Sequence, residues 1–249
     1  MEEQVVDSNA AELSIGSVFS RTWAVLVKRP FLFFGIGFIL YAMPSIITIY
    51  GLPLISSDVK ANTPLEFGFI SIIFFFFVSL MFNAAVIYAA FGVIKNEHFS
   101  SGKIFARSLS RIGWLFLLSI IVCVCVSLGL LLLIVPGIIL SIIFLLSSPV
   151  CIIERLGPIS SMQRSASLTK GNRLIIFGIC LLIAFVSIAI GFATLYISVT
   201  ITYPIISVII TNLTSLLIGL FGVVMIAVIY CELRSIKESV PVESLTEIP

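Results

Sequence analysis

Six long apolar runs, separated by shorter polar segments, dominate the hydrophobicity pattern of this 249-residue chain. A helix needs roughly 20 apolar residues to cross a hydrocarbon core about 30 Å thick. Every run except the fourth reaches that length. We therefore predict an all-α polytopic membrane protein with six transmembrane helices. The predicted spans are Phe31–Ile55, Gly68–Ile94, Gly113–Val135, Ile138–Ile153, Leu174–Ser198 and Ile205–Tyr230.

A short basic segment precedes each pair of spans, which indicates a threefold helix-hairpin repeat. In the first segment apolar residues recur at three- and four-residue spacing, while Arg21 and Lys28 occupy the other face. This pattern is typical of a helix that lies in the membrane interface. Arg107 and Arg164 occupy the place of Arg21 in the other two segments. We predict three short amphipathic interfacial helices, which include Ile15–Trp23, Ser101–Leu109 and Ile159–Ser167.

The apolar stretch from Gly113 to Ile153 is too long for one span and is interrupted by Pro136 and Gly137. Proline lacks the amide that would continue a helix, and glycine accepts a left-handed backbone. We predict a hairpin turn at these two residues. The following span is short and contains Pro149, so it either crosses thinly or is partly re-entrant.

Positive charge lies almost entirely on one side of the predicted spans. Of the 14 Lys and Arg residues, only Lys60 falls on the opposite side. Because cytoplasmic loops carry an excess of Lys and Arg, we expect both termini to be cytoplasmic. The chain then divides into a cytoplasmic tail (1–12), a six-helix membrane domain (13–234) and a disordered cytoplasmic tail (235–249).

The composition excludes an ordinary soluble domain. The chain is 60% hydrophobic and 10% charged, whereas soluble domains carry about 25% charged residues. A net charge of +2 gives no reason to expect a nucleic-acid partner. All five cysteines lie within or at the ends of predicted spans, so we expect free thiols that pack as apolar side chains and no disulfides.

Catalytic signals are sparse. His98 is the only histidine, and no H-E-x-x-H, G-x-S-x-G or G-x-x-x-x-G-K sequence occurs. We therefore expect no enzyme activity, no metal and no cofactor. No Lys, Arg, Asp or Glu lies deep inside a predicted span, which disfavours ion-coupled transport.

Two groups of polar residues admit alternative interpretations. Asn83, Asn212 and Thr214 lie within spans, where they either line a polar pocket or join helices by hydrogen bonds. Glu154 and Arg155 follow the fourth span. They are either a charge pair that docks the third interfacial helix or two solvated charges.

A motif in the second half of the chain begins with Pro136-Gly137-Ile138 and continues through Glu154, Gly157, Ser161, Arg164, Ser165, Leu168 and Gly171 or Asn172. Together with the ending Tyr230-Cys-Glu-Leu-Arg234, it resembles the membrane domain attached to some bacterial glycerophosphoryl diester phosphodiesterases and the related YciC-like uncharacterised inner-membrane proteins. The resemblance covers mainly residues 134–234. It implies a six-helix module of the bacterial inner (cytoplasmic) membrane. It does not imply phosphodiesterase activity, because the paired carboxylates and histidines of that catalytic domain have no counterparts here.

The leading functional hypothesis is a non-catalytic membrane module that binds lipid or a membrane partner, such as another membrane protein or a transport ATPase. Its basic helices would contact anionic headgroups. The alternative is a transporter or channel-like protein for a small or lipidic substrate, in which the threefold arrangement encloses a cavity. The residues predicted to contact anionic lipid are Arg21, Arg107, Arg111, Arg164 and Lys170.

Overall fold

The computed structural model describes residues 13–42, 44, 64–95, 101–201 and 203–238. Within these ranges every element with defined bounds is helical, and no strand is present. The helices are α1 (Ile15–Lys28), α2 (Pro30–Gly37), a π-helix (Phe38–Ala42), α3 (Pro64–Ile94), α4 (Ser101–Leu132), α5 (Ile134–Phe144), α6 (Ser147–Ile153), α7 (Pro158–Thr169), α8 (Arg173–Thr200) and α9 (Pro204–Glu238). The predicted all-α class is confirmed.

Five of the predicted spans correspond to apolar segments long enough to cross a membrane. These are α3, α4, the pair α5 and α6, α8, and α9. A sixth candidate consists of α1 followed by α2 and the π-helix, with an 86° bend between them. The start of the predicted span Phe31–Ile55 is helical as far as Ala42, and its remainder lies outside the described residues except for Pro44. Lys60 and His98 also lie outside them.

Helix α1 is a separate amphipathic helix, as predicted. Ser14 caps it, because its hydroxyl oxygen accepts a hydrogen bond from the Ser17 amide at 3.1 Å. Val18, Thr22 and Val25 form the buried face. Trp23 is 65% exposed. The helix therefore presents some of its largest apolar surface away from the protein.

The second basic segment is not a separate helix. Residues Ser101–Leu109 form the first turns of α4, which continues without a break to Leu132. Where this segment joins the span, between Leu109 and Trp114, Gly113 is the only glycine and no proline occurs. A single glycine costs about 1 kcal/mol relative to alanine without ending a helix. The predicted threefold repeat is therefore uneven, with two separate interfacial helices and one that is continuous with its span.

The hairpin between α4 and α5 turns at Leu133, so the prediction of a turn at Pro136 and Gly137 was wrong. Leu133 has an extended backbone (φ −161°, ψ 144°), and Pro136 lies in the first turn of α5, where a proline nitrogen loses no hydrogen bond. Gly137 serves close packing instead. A Cβ atom there would lie 2.7 Å from the Leu130 backbone nitrogen.

The fourth span is longer than predicted and is broken. Helices α5 and α6 together cover Ile134–Ile153, which is 20 residues. The break at Leu145–Leu146 precedes Pro149, whose ring would clash with the carbonyl four residues earlier. The added residues come from the earlier turn at Leu133, so the segment has the length needed for a full crossing.

Two unusual backbone conformations flank α7. Arg155 has φ +54° in the connection that precedes it, and Gly171 has φ +95° in the turn that follows it. Gly171 adopts this left-handed conformation at little cost. Pro158 occupies the first turn of α7, where proline is well suited to begin a helix. These turns bring α7 back against the ends of the spans.

Helix α9 is the centre of the bundle. In the most apolar 18-residue stretch of α9, 67% of the residues are buried, compared with 11% in the corresponding stretch of α8. It packs against α1, α3, α7 and α8. It also continues to Glu238, so residues 235–238 belong to a helix and not to the predicted disordered tail. Residues 239–249 lie outside the described ranges.

Candidate functional site

A cluster of charged and polar side chains joins the ends of α6, α7 and α9. We call it the charged cluster. The connection after α6 supplies a carboxylate, α7 supplies a guanidinium, and α9 supplies a phenol, a second guanidinium and a second carboxylate. The members of the charged cluster are Glu154, Arg164, Tyr230, Arg234 and Glu238.

The Glu154 carboxylate is the most buried charged group of the cluster, with 2% of its side chain exposed. Its Oε2 accepts a hydrogen bond from Arg164 Nε at 3.2 Å, and its Oε1 accepts one from the Tyr230 hydroxyl at 3.0 Å. A buried carboxylate requires such partners, because the loss of water around the charge is otherwise costly. Glu154 thereby connects three segments of the chain.

The remaining contacts close the cluster. Arg234 donates from Nη1 to the Tyr230 hydroxyl at 3.1 Å and from Nε to Glu238 Oε2 at 2.9 Å. Arg164 pairs through Nη2 with the other oxygen of Glu238. The Tyr230 hydroxyl therefore both donates and accepts, and Arg164 bridges two carboxylates. Each of the five side chains therefore contacts at least one other member of the charged cluster.

A second buried carboxylate holds α1. Ser17 donates its hydroxyl hydrogen to Glu232 Oε2 at 3.5 Å, and Arg21 Nε lies 3.4 Å from Glu232 Oε1. Among the described residues Oε1 has no hydrogen-bond donor, so the Arg21 contact is an ion pair without hydrogen-bond geometry. The side chain of Glu232 is 9% exposed and that of Arg21 is 56% exposed.

The structure decides between the alternatives for Glu154 and Arg155. Glu154 docks the third interfacial helix, but its cationic partner is Arg164 on that helix and not the neighbouring Arg155. Arg155 is exposed, and its backbone carbonyl accepts a hydrogen bond from Arg111 Nη1 at 3.2 Å. The prediction that Glu154 docks the third interfacial helix is therefore confirmed. The prediction that Glu154 does so as a charge pair with Arg155 is wrong.

The predicted lipid contacts have different surroundings. Arg21 and Arg164 each pair with a buried carboxylate. Arg111 contacts the Arg155 carbonyl, Arg107 is half-buried, and Lys170 is exposed at the end of α7. The five residues therefore do not form a uniform ring. Their role as lipid contacts stays a prediction.

The amides predicted to line a polar pocket bond within their own helices. Asn83 Nδ2 donates to the Ser79 carbonyl at 2.8 Å, and Asn212 Nδ2 donates to the Val208 carbonyl at 2.9 Å. Thr214 is half-buried. A shared polar pocket for these three residues also stays a prediction.

An apolar groove lies beside α1. Its volume is about 510 Å³, which is within the roughly 300–1,000 Å³ range of ligand pockets. Helix α1 covers one side with Phe19, Trp23, Leu26 and Val27, and residues of α2, α8 and α9 form the rest. Ser187 supplies the only hydroxyl among the lining side chains. Asn83, Asn212 and Thr214 do not line it.

Sequence reasoning missed part of both features. Glu232 and Glu238 were not recognised as the partners of Arg21 and Arg164. The sequence did offer one signal, because Glu238 lies four residues after Arg234 on the same helix and such residues are adjacent. The groove gave no sequence signal beyond an amphipathic α1. Among the described residues no group of three or more His, Cys, Asp or Glu could hold a metal ion, and all five cysteines are free.

The apolar spans and the interfacial helices fixed at their ends define a multi-pass all-α membrane protein. Residues 55–226 match the family described as Uncharacterised protein family (UPF0259). The chain belongs to that family. The match includes Glu154 and Arg164 but ends before Tyr230. No curated protein and no solved structure matches the chain.

Proposed function

We propose that this protein is a non-catalytic module of the bacterial inner membrane that binds anionic lipid, or an acidic surface of a membrane partner, at its basic face. Both termini lie on the cytoplasmic side in this proposal. The orientation rests on the distribution of Lys and Arg along the chain. The relationship to the membrane domain of glycerophosphoryl diester phosphodiesterases also stays a proposal, and it carries no catalytic activity with it.

One observation carries the proposal. In both ion pairs that hold an interfacial helix, the carboxylate is buried and the guanidinium reaches the surface. Glu154 and Glu232 side chains are 2% and 9% exposed, whereas those of their partners Arg164 and Arg21 are 31% and 56% exposed. The exposed end of the Arg21–Glu232 pair is therefore cationic, whereas the Arg164 guanidinium shares the surface with Glu238, whose side chain is 29% exposed.

Such a surface attracts anionic headgroups. Each Lys or Arg near an anionic membrane surface contributes about 1 kcal/mol to binding. Lys170 adds an exposed charge at the end of α7. Because Arg21 and Arg164 also hold helices in place, their removal would change stability and lipid binding together. Lys170 is therefore the better residue for a test of lipid binding.

The test compares acidic phospholipid that co-purifies with the protein. We expect Lys170→Gln to reduce acidic phospholipid bound per protein, as measured by mass spectrometry of extracted lipid. Higher salt should reduce the difference in bound acidic phospholipid between the parent protein and the variant, because exposed charges are screened over about 8 Å at physiological ionic strength. Lys60→Gln, on the opposite side of the predicted spans, is the charge control. Equal acidic lipid in all three proteins would contradict the proposal.

The alternative function is a transporter or channel-like protein for a small or lipidic substrate. One observation favours it. The segment α5 and α6 is broken within the predicted membrane region, and the buried Ser147 hydroxyl beside the break has no hydrogen-bond partner among the described residues. Broken helices mark substrate sites in many transporters. Substrate-dependent flux into proteoliposomes that Ser147→Ala abolishes would support this alternative over the first.

A further inference from the structure

The apolar groove beside α1 has the shape and surroundings of a site for one lipid chain. It extends between α8 and α9 and is covered on one side by α1, whose Trp23 is largely exposed. On α8 its lining runs from Ile183 to Ile190, which begins 10 residues after Arg173. At 1.5 Å per residue the groove therefore starts roughly 15 Å along the helix, within the apolar part of the span.

We infer that this groove binds an acyl chain of an anionic phospholipid whose phosphate lies beside Lys28 and Arg29. This inference rests on the proposed function, because it names the lipid and the place where it binds. The two basic residues lie between Val27 and Pro30, which both line the groove. The chain thus places cationic side chains at the position where α1 meets the membrane-embedded α2. Two cationic residues adjacent in sequence to the apolar lining complement the charged headgroup and apolar chain of an anionic phospholipid.

The volume of the groove suits a single lipid chain. The groove offers about 510 Å³. A flexible chain of methylene groups fits this space, and its burial against apolar walls contributes about 0.8 kcal/mol per methylene in transfer from water. Since a lipid chain starts in the bilayer and not in water, the selectivity must come from the headgroup and the shape of the groove.

The site can be tested with the purified full-length protein in lipid bilayers. The probes are phosphatidylglycerol and phosphatidylcholine that carry a photoreactive diazirine in one acyl chain. After irradiation, labelled residues are mapped by peptide mass spectrometry. We expect phosphatidylglycerol to label groove residues such as Phe34, Val186 and Leu217 more strongly than Phe192 and Leu195, which are exposed on α8 outside the groove.

A matched pair of variants on α8 tests occupancy. Val186→Trp fills the groove, whereas Ile188→Trp adds the same ring to an exposed position of the same helix that does not line it. We expect Val186→Trp to lower groove labelling about tenfold, which corresponds to roughly 1.4 kcal/mol of binding, and Ile188→Trp to leave it unchanged. The label distribution on the unaltered protein gives an independent result if Val186→Trp does not fold.

The possible outcomes separate this site from the proposed function. Labelling spread evenly over the exposed faces of α4 and α8 would overturn the site, even if acidic lipid still co-purifies. Groove labelling of equal strength with both headgroups would overturn the inference, because the groove would then show no preference for an anionic phospholipid. An isoprenoid lipid or a peptide that fills the groove in the purified protein, in place of phospholipid, would overturn the inference.

Discussion

Replacement of Glu154 by glutamine tests whether one buried carboxylate holds α7 against the bundle. Glutamine keeps the size of the side chain and an oxygen that can accept from Tyr230, but it removes the negative charge that faces Arg164. Removal of one partner from a buried ion pair costs roughly 3–5 kcal/mol. Arg164 is 31% exposed and retains Glu238 as a second partner. These two facts reduce the expected loss of stability to about 2 kcal/mol.

The assay is thermal unfolding of the purified protein in detergent, together with limited proteolysis. A loss of about 2 kcal/mol corresponds to a fall in Tm of roughly 4–8 °C for a chain of this size. Trypsin should also cleave faster after Arg164 and Lys170 if α7 is released. Lys170→Gln is the control, because Lys170 is exposed at the end of α7 and an exposed charge contributes about 0–1 kcal/mol. An unchanged Tm for Glu154→Gln, or an equal loss in both variants, would refute the reasoning.

Two further predictions concern topology and packing. On a cysteine-free background, single cysteines at Lys60 and Thr200 should react with an impermeant reagent from outside the cell. Cysteines at Lys103 and Lys170 should react only when the inner face is opened. Labelling of Lys103 from outside would contradict the proposed orientation. Gly137→Ala should destabilise the protein by about 1–3 kcal/mol, because its Cβ would lie 2.7 Å from a backbone nitrogen of α4. The control is Gly191→Ala, where no atom lies within 4 Å of the added methyl group; equal Tm values for the two variants would contradict the close-packing role.

The sequence predicted the elements of the fold better than their contacts. Long apolar runs and amphipathic spacing are local properties, and they were sufficient to locate the spans and α1 and α7. The turn at Leu133 was missed because its neighbours are all apolar and only Pro136 and Gly137 resembled turn residues. In the structure these residues begin a helix and allow it to pack closely.

The contacts of the charged cluster depend on tertiary packing. Glu154 lies beside Arg155 in the sequence but selects Arg164, because the backbone of Arg155 turns the chain away (φ +54°) and α7 folds back. Tyr230 is 76 residues from Glu154 along the chain. No local sequence pattern indicates which of the 12 acidic residues becomes buried or which Lys or Arg residue pairs with it. The groove was missed for the same reason, since four helices must be placed before it exists.

The central position of α9 has a consequence for the order of assembly. Chains are synthesised from the N-terminus, and α9 is the last of the described helices to leave the ribosome. Until it inserts, α1 lacks the carboxylate of Glu232, and Glu154 lacks the Tyr230 hydroxyl. The earlier helices can enter the membrane one after another, but their final packing waits for this one. A nascent chain stopped before α9 would therefore contain an α1 without its buried carboxylate and a Glu154–Arg164 pair without its contacts to Tyr230 and Glu238. The addition of a single helix would supply all of these contacts.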